Sequence, residues 1–450
     1  MNILYKKYTR SLQWNTIEAI VYQTILVGHQ LLLFSNIDRS MYGLMGTLFS
    51  SIYLILPLIN GGLDGSLAPF FDNITQSKQS LRALLIPHYF PELFAVLALI
   101  GGWIIAKEQL ISLVPTLSAA EGMVVVSIFC IILSEGLKKT LRTLLQLAFL
   151  NHKTALIELM TITSYTGIIW AAFLMGYSIN LTLIFLPMAL TSIFSTTLLA
   201  YSALQLYKEL PDNPHFSIEP GLTKRMIKSR IFMTIHYMSH VIFSSNFLIP
   251  LYALSSGLQT AGIFKLVSTC IYAITTIVYK IFGLTSEALL TQVRNLTQET
   301  RQEAFAAITQ LLHQVVFSLL IFFIINYSML LKMHGTTAEL LPLIGLFFIL
   351  QISDYFFIVY ERLYAIYEQA QFLCLFNSIV MLLLYGGVQL SVGYGPLITL
   401  IIMIMMRIIS FTMLSLFSWY RWSVQPSWKI QPLYMLGAVF IALAFRFIMY

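Results

Sequence analysis

Tyr42-Gly43-Leu44, running on to Tyr53, returns later in the chain as Ala261-Gly262-Ile263 running on to Tyr272, with Gly43 over Gly262 and Tyr53 over Tyr272. The echo continues. Asn73-Ile74-Thr75-Gln76 reappears as Asn295-Leu296-Thr297-Gln298, Ser134-Glu135 as Ser353-Asp354, and Arg142 as Arg362, at offsets of 219 to 222 residues. Both copies are apolar. Hydrophobic residues make up 58% of the 450, charged residues 10%, and the mean hydropathy is +0.81. A soluble surface needs more charge than that, so the composition predicts a polytopic membrane protein.

A span needs about 20 apolar residues to cross a hydrocarbon core of about 30 Å. Such stretches run Thr16–Phe34, Met41–Phe70, Leu84–Ala106, Gly122–Leu150, Thr154–Gly176 and Asn180–Leu204 in the first half. The second half gives Ile231–Leu254, Ala261–Leu290, Ile308–Leu331, Leu340–Tyr367, Phe372–Leu390 and Leu397–Trp419, and Leu433–Met449 follows as an odd thirteenth. Helices are the expected form, because lipid offers unpaired backbone groups no partner. The prediction is an all-α polytopic fold of two pseudo-symmetric six-helix lobes with one extra C-terminal helix. The lobes cover residues 1–204 and 231–419. A linker at 205–230, rich in charge and carrying Pro211, Pro214 and Pro220, separates them, and 420–450 forms a tail. An even six spans per lobe makes the two repeats parallel, related by a pseudo-two-fold along the membrane normal.

Lys and Arg concentrate on the connections that share a side with Lys6, Lys7 and Arg10, while the opposite connections hold Arg39, Lys107 and Lys332. This asymmetry places the N-terminus in the cytoplasm, with the first span retained as a helix. Sorted in this way, the net charge of +7 is not a nucleic-acid footprint. The 3 cysteines fall inside spans, as small core residues rather than a disulfide framework. No GxxxxGK loop and no HExxH occurs, so no nucleotide, metal or other cofactor is expected, and uphill work must draw on an ion gradient, the membrane potential or a partner.

The sharpest local signal lies on span four, where Glu135, Lys138, Lys139, Arg142 and Gln146 fall at i, i+3, i+4, i+7 and i+11. They occupy an arc of about 100°. Charge at membrane depth costs several kcal/mol unless it meets water or partners, so the stripe suggests a wet cavity with a basic wall. The competing reading ends the span near Leu137 and leaves the charges in a cytoplasmic loop. Span ten carries Asp354, Glu361 and Glu368 at successive sevens beside Arg362, an acidic face where its repeat partner is basic. Those residues are candidates for ion coupling or for a structural ion-pair network. Glu18, His29, Asp64, Lys265 and Lys280 are further candidates for the same lining, Lys280 being placed deeper than Lys265. His236 and His240 have metal-ligand spacing, with no carboxylate or thiol to complete a site.

Taken together, the chain resembles the polysaccharide-biosynthesis flippases of the multidrug/oligosaccharidyl-lipid/polysaccharide (MOP) exporter superfamily. The likeness is carried by Tyr42-Gly43 opening span two, Leu58-Ile59-Asn60-Gly61-Gly62-Leu63-Asp64 closing it, the six-plus-six repeat, the inter-lobe linker and the charged span four, over residues 1–420. The resemblance implies a V-shaped, MATE-like bundle in the bacterial inner membrane that moves polyprenyl-pyrophosphate-linked oligosaccharide from the inner to the outer leaflet. Membrane lipid and glycan-assembly membrane proteins are its implied partners. Lys138, Lys139, Arg142 and Lys280 would then hold the pyrophosphate, with Glu135, Asp354, Glu361, Arg362, Glu18 and Asp64 in coupling or gating. The thirteenth span departs from the twelve or fourteen usual in such families. Rival readings are a proton- or sodium-coupled drug antiporter of the same superfamily, a peptidoglycan-precursor flippase, and a membrane glycan polymerase or ligase. The short outer connections speak against an enzyme.

Overall fold

The computed structural model describes residues 2–113, 122–213, 218–241, 243–278, 284–332, 341–391, 396–427 and 432–449. All regular structure among them is helical. Eight helical segments among the described residues are long and apolar enough to cross a bilayer, which makes this a multi-pass membrane protein. The chain divides into two compact units, residues 1–269 with 368–374, and residues 270–367 with 375–450.

The first unit holds α1 (Asn2–Asn36), α2 (Arg39–Asn60), α3 (Leu63–Leu67), α4 (Phe71–Ile74), α5 (Lys78–Leu85), α6 (Phe90–Leu113), α7 (Gly122–Leu147), α8 (Asn151–Leu174), α9 (Leu181–Glu209), α10 (Leu222–Val241), α11 (Ser245–Ser256) and most of α12 (Leu258–Val278). Asp38 starts α2 by accepting the backbone N–H of Ser40 at 2.8 Å, satisfying a donor that no helical carbonyl reaches. The helix stops at Gly61 and Gly62, both left-handed at φ +54° and +66°, a conformation that costs glycine nothing. Span two is therefore two helices with a break, as the Asn60-Gly61-Gly62 run suggests. Span seven is also divided, which its hydropathy does not reveal. α10 ends at Val241, and α11 begins after Ser244 in extended conformation.

Between helices in lipid the hydrophobic effect contributes little, so close packing and polar contacts decide association. The two glycines that open the sequence repeat supply the closest approach. A Cβ on Gly43 would strike the carbonyl of Leu258, and one on Gly262 would lie 2.7 Å from the carbonyl oxygen of Arg39. Leu258 precedes Gly262 by four residues and Arg39 precedes Gly43 by four. The contact is reciprocal, as a two-fold axis through the crossing requires. Phe49 stacks on Phe185 at 4.5 Å in a core that includes Tyr42, Met45, Ile131 and Ile162.

The second unit holds the end of α12, then α13 (Leu284–Val293), α14 (Gln298–Lys332), α15 (Leu341–Ile366), most of α16 (Ala370–Ser391), α17 (Pro396–Trp422) and α18 (Pro432–Met449). α15 and α17 are joined by hydroxyls: Tyr364 Oη donates to the carbonyl of Leu414 at 3.0 Å, and Tyr360 Oη lies 3.0 Å from Ser415 Oγ. α18, over the C-terminal apolar stretch Leu433–Met449, packs on α14, where Asn326 Nδ2 donates to the carbonyl of Ala442 at 3.1 Å.

Candidate functional site

The charged stripe of span four lies within helix α7, which continues without interruption to Leu147, so these charges are not in a loop. They do not share one surroundings, however. Adjacent residues on a helix point about 100° apart and cannot face the same neighbour. Lys138 and Arg142, one turn apart, turn toward α1 and α8. Lys138 Nζ lies 3.2 Å from Glu135 Oε1 and 3.2 Å from Glu158 Oε2. Arg142 donates to both oxygens of Glu18, at 2.9 and 3.1 Å, and lies 3.3 Å from Glu158 Oε1. Lys139 instead pairs with Asp64 of α3 at 2.9 Å and sits over the Tyr237 ring of α10 at 4.7 Å. Ser192 Oγ of α9 donates to Glu135 at 2.8 Å.

Read alone, α7 carries three bases against one acid. In the fold Glu18, Asp64 and Glu158 are added from α1, α3 and α8, and acids outnumber bases by one. The cationic excess of the stripe is thereby offset in place. Glu158, 3% exposed, is the bridge between Lys138 and Arg142 that sequence reading missed. Its position four residues into span five was signal enough, since the default that made Glu18 a candidate applies equally to it.

The acidic helix behaves in the same way within its own unit. Asp354 pairs with Arg407 of α17 at 2.5 Å, and Arg362 with Glu287 of α13 at 3.1 Å. Glu361 is buried beside them. Arg407 and Glu287, both 1% exposed, were not anticipated. The acidic face is also shorter than the heptad spacing suggests. Glu368 lies beyond the end of α15, at φ +58°, 3.5 Å from Arg225 in the first unit. Lys280 lies outside the described residues.

A cavity of about 180 Å³ opens in the first unit beside this network. Glu135 and Lys138 line it together with Tyr22, Tyr53, Thr161 and Lys265. The volume holds several waters at about 30 Å³ each and falls below the roughly 300–1,000 Å³ of an ordinary ligand pocket. It admits a phosphate or a single sugar ring, not a whole oligosaccharide. Lys265, on α12, differs from every other cation described above. It lines the cavity, its stem packs where Gly46 leaves room (a Cβ there would be 2.9 Å from Lys265 Cγ), and it makes no ion pair among the described residues. An ammonium that lines a cavity without a carboxylate beside it attracts anions. The ranking of Lys280 over Lys265 in the sequence had no means of seeing this.

No protein-family model matches the sequence, and no curated protein sequence matches it. Solved structures do match. An outward-facing multidrug-resistance MATE family transporter of the MOP superfamily aligns with a TM-score of 0.69 at 11% identity, covering 92% of this chain and 96% of its own. The chain has the fold of the MATE transporters. A MATE in its bent conformation aligns at TM-score 0.65 and 12% identity, covering 94% and 97%. A MOP superfamily transporter from Pyrococcus furiosus, described as having a binding pocket of reverse polarity that suggests a different function, aligns at 0.57 and 12%, covering 92% and 96%. At such identities the likeness establishes the MATE fold, and the chemistry of the site must be argued from this chain's own residues.

Proposed function

We propose that this protein is a MOP-type membrane transporter that moves an anionic, sugar-bearing lipid, polyprenyl-pyrophosphate-linked oligosaccharide, from the inner to the outer leaflet by alternating access. The observation that carries the reading is Lys265, which lines the cavity of the first unit without an ion pair among the described residues. A pyrophosphate needs cationic partners, and Lys265 is available where Lys138, Lys139 and Arg142 are already engaged with carboxylates. Of the residues first assigned to the phosphates, Lys138 remains at the cavity wall, and the tyrosine and threonine hydroxyls beside it suit a sugar. The bacterial inner membrane, a cytoplasmic N-terminus and neighbouring glycan-assembly membrane proteins complete the proposal.

A proton- or sodium-coupled cation antiporter is the second reading, favoured by the excess of carboxylate in the α7 network and by Glu135 at the cavity. Reconstitution separates the two. Vesicles containing the protein should expose a fluorescent polyprenyl-pyrophosphate oligosaccharide to an external glycosidase, with Lys265→Gln losing most of that activity. Efflux of cationic dyes without lipid translocation would establish the antiporter instead.

A further inference from the structure

Glu92, in the first turn of α6, is 1% exposed, and neither of its carboxylate oxygens has a hydrogen-bond partner among the described residues. Its nearest cation is Arg230 of α10, 3.8 Å away, beyond hydrogen-bond reach. That guanidinium is committed elsewhere. Its Nε donates to the carbonyl of Gly61 at 2.9 Å, and its Nη2 donates to the carbonyl of Asn60 at 3.1 Å. These carbonyls end α2, so Arg230 clasps the helix break from the side. The fit is tight, since a Cβ on Gly61 would lie 2.9 Å from Arg230 Nη2 and one on Gly62 would lie 2.5 Å from the Arg230 carbonyl.

The other groups that face Glu92 do not supply its missing partner. Tyr89, in the turn before α6, has a buried hydroxyl without a hydrogen bond among the described residues. Asp64 of α3 repels a carboxylate, and Lys139 of α7 is held by Asp64 at 2.9 Å. A buried carboxylate in this position carries a desolvation cost that Arg230 at 3.8 Å offsets only in part, whereas a neutral carboxylic acid fits. Ionised, Glu92 would have to draw Arg230 about 1 Å closer to reach charge-assisted hydrogen-bond length. Nη2 would leave the Asn60 carbonyl to do so.

From this geometry we infer that Glu92 is a proton-binding site whose occupancy sets the Arg230 clasp on the α2–α3 break. Proton bound, Arg230 caps the end of α2. Proton released, Arg230 moves to Glu92 and the break loosens. The site makes the proton the coupling ion, acting through a helix joint that borders the Lys139–Asp64 pair. It requires no particular cargo and stands independently of the flippase reading.

The test uses the full-length protein in nanodiscs, without substrate. Infrared difference spectra between wild type and Glu92→Gln at neutral pH should show one protonated carboxyl band present in wild type and missing in the variant. Hydrogen exchange supplies the second arm. On alkalinisation, protection of the Gly61, Asp64 and Ser66 amides should fall about tenfold in wild type, as expected for loss of one charge-assisted bond, and stay level in Glu92→Gln. Glu92→Gln keeps the shape of the neutral acid and should fold. Absence of that carboxyl band, or equal pH dependence at the break in both proteins, overturns the inference and leaves the flippase proposal untouched.

Discussion

Lys138 and Lys265 line the same cavity, and their replacement by glutamine should have opposite consequences. Lys138→Gln removes the ammonium held between Glu135 and Glu158, whose side chains are 19% and 4% exposed. Breaking one partner out of a buried pair costs about 3–5 kcal/mol. Here the lower end applies, because Arg142 still reaches Glu158 at 3.3 Å and Ser192 still donates to Glu135. At about 2–4 °C per kcal/mol for 150–250 residues, and less for a longer chain, the melting temperature should fall by up to roughly 6–12 °C. Lys265→Gln breaks no ion pair, so its melting temperature should hold within about 2 °C, or rise as an unpaired charge leaves the membrane interior. Its binding of a pyrophosphate lipid should weaken by about tenfold or more, the worth of one hydrogen bond to a charged group. The assay is thermal unfolding of both purified variants beside a fluorescence titration with the lipid. Equal destabilisation, or unchanged lipid affinity in Lys265→Gln, would refute the division into a structural and a binding cation.

Gly43→Val places a side chain against the Leu258 carbonyl and should destabilise by the upper end of about 1–3 kcal/mol, whereas Gly101→Ala, with open space at its Cβ, should be neutral or stabilising in a melting comparison. Arg407→Met strands Asp354 and should lower stability by about 3–5 kcal/mol, with Asp354→Asn restoring much of it in the double variant, as a double-mutant cycle would read. The linker end docks on α5 through Asp212, whose carboxyl is held below the usual carboxylate range by the hydrogen bond from Lys78. A depressed carboxylate contributes above its ordinary value and loses that contribution as pH falls through the depressed one. Protease cleavage between α9 and α10 should therefore stay slow at neutral pH and quicken on strong acidification, less so at high salt.

The glycines of the repeat were legible because glycine is demanded where two helix backbones touch this closely, and the two sides of one crossing keep it, at Gly43 and Gly262. The break in α2 was legible for a related reason, since left-handed backbone at Gly61 and Gly62 leaves its mark in residue type. The charge pairing was not. Periodicity fixes where a residue lies on its own helix, but not which neighbour that face meets. Lys138 and Lys139 thus read as one stripe and fold into two environments. Arg230, counted among the cytoplasmic charges of the linker, is 8% exposed in α10 because α2 ends beside it and offers carbonyls. Nor can sequence show an absence of pairing, which is what distinguishes Lys265.

The most direct test of the account is protection of the cavity in a cysteine-free background carrying Thr161→Cys, a wall residue opposite no ion pair of its own. A small anionic thiol reagent should label this cysteine, and polyprenyl-pyrophosphate oligosaccharide should slow the labelling when Lys265 is present and fail to do so in Lys265→Gln. Protection by cationic drugs instead, or lipid protection that is indifferent to Lys265, would contradict it.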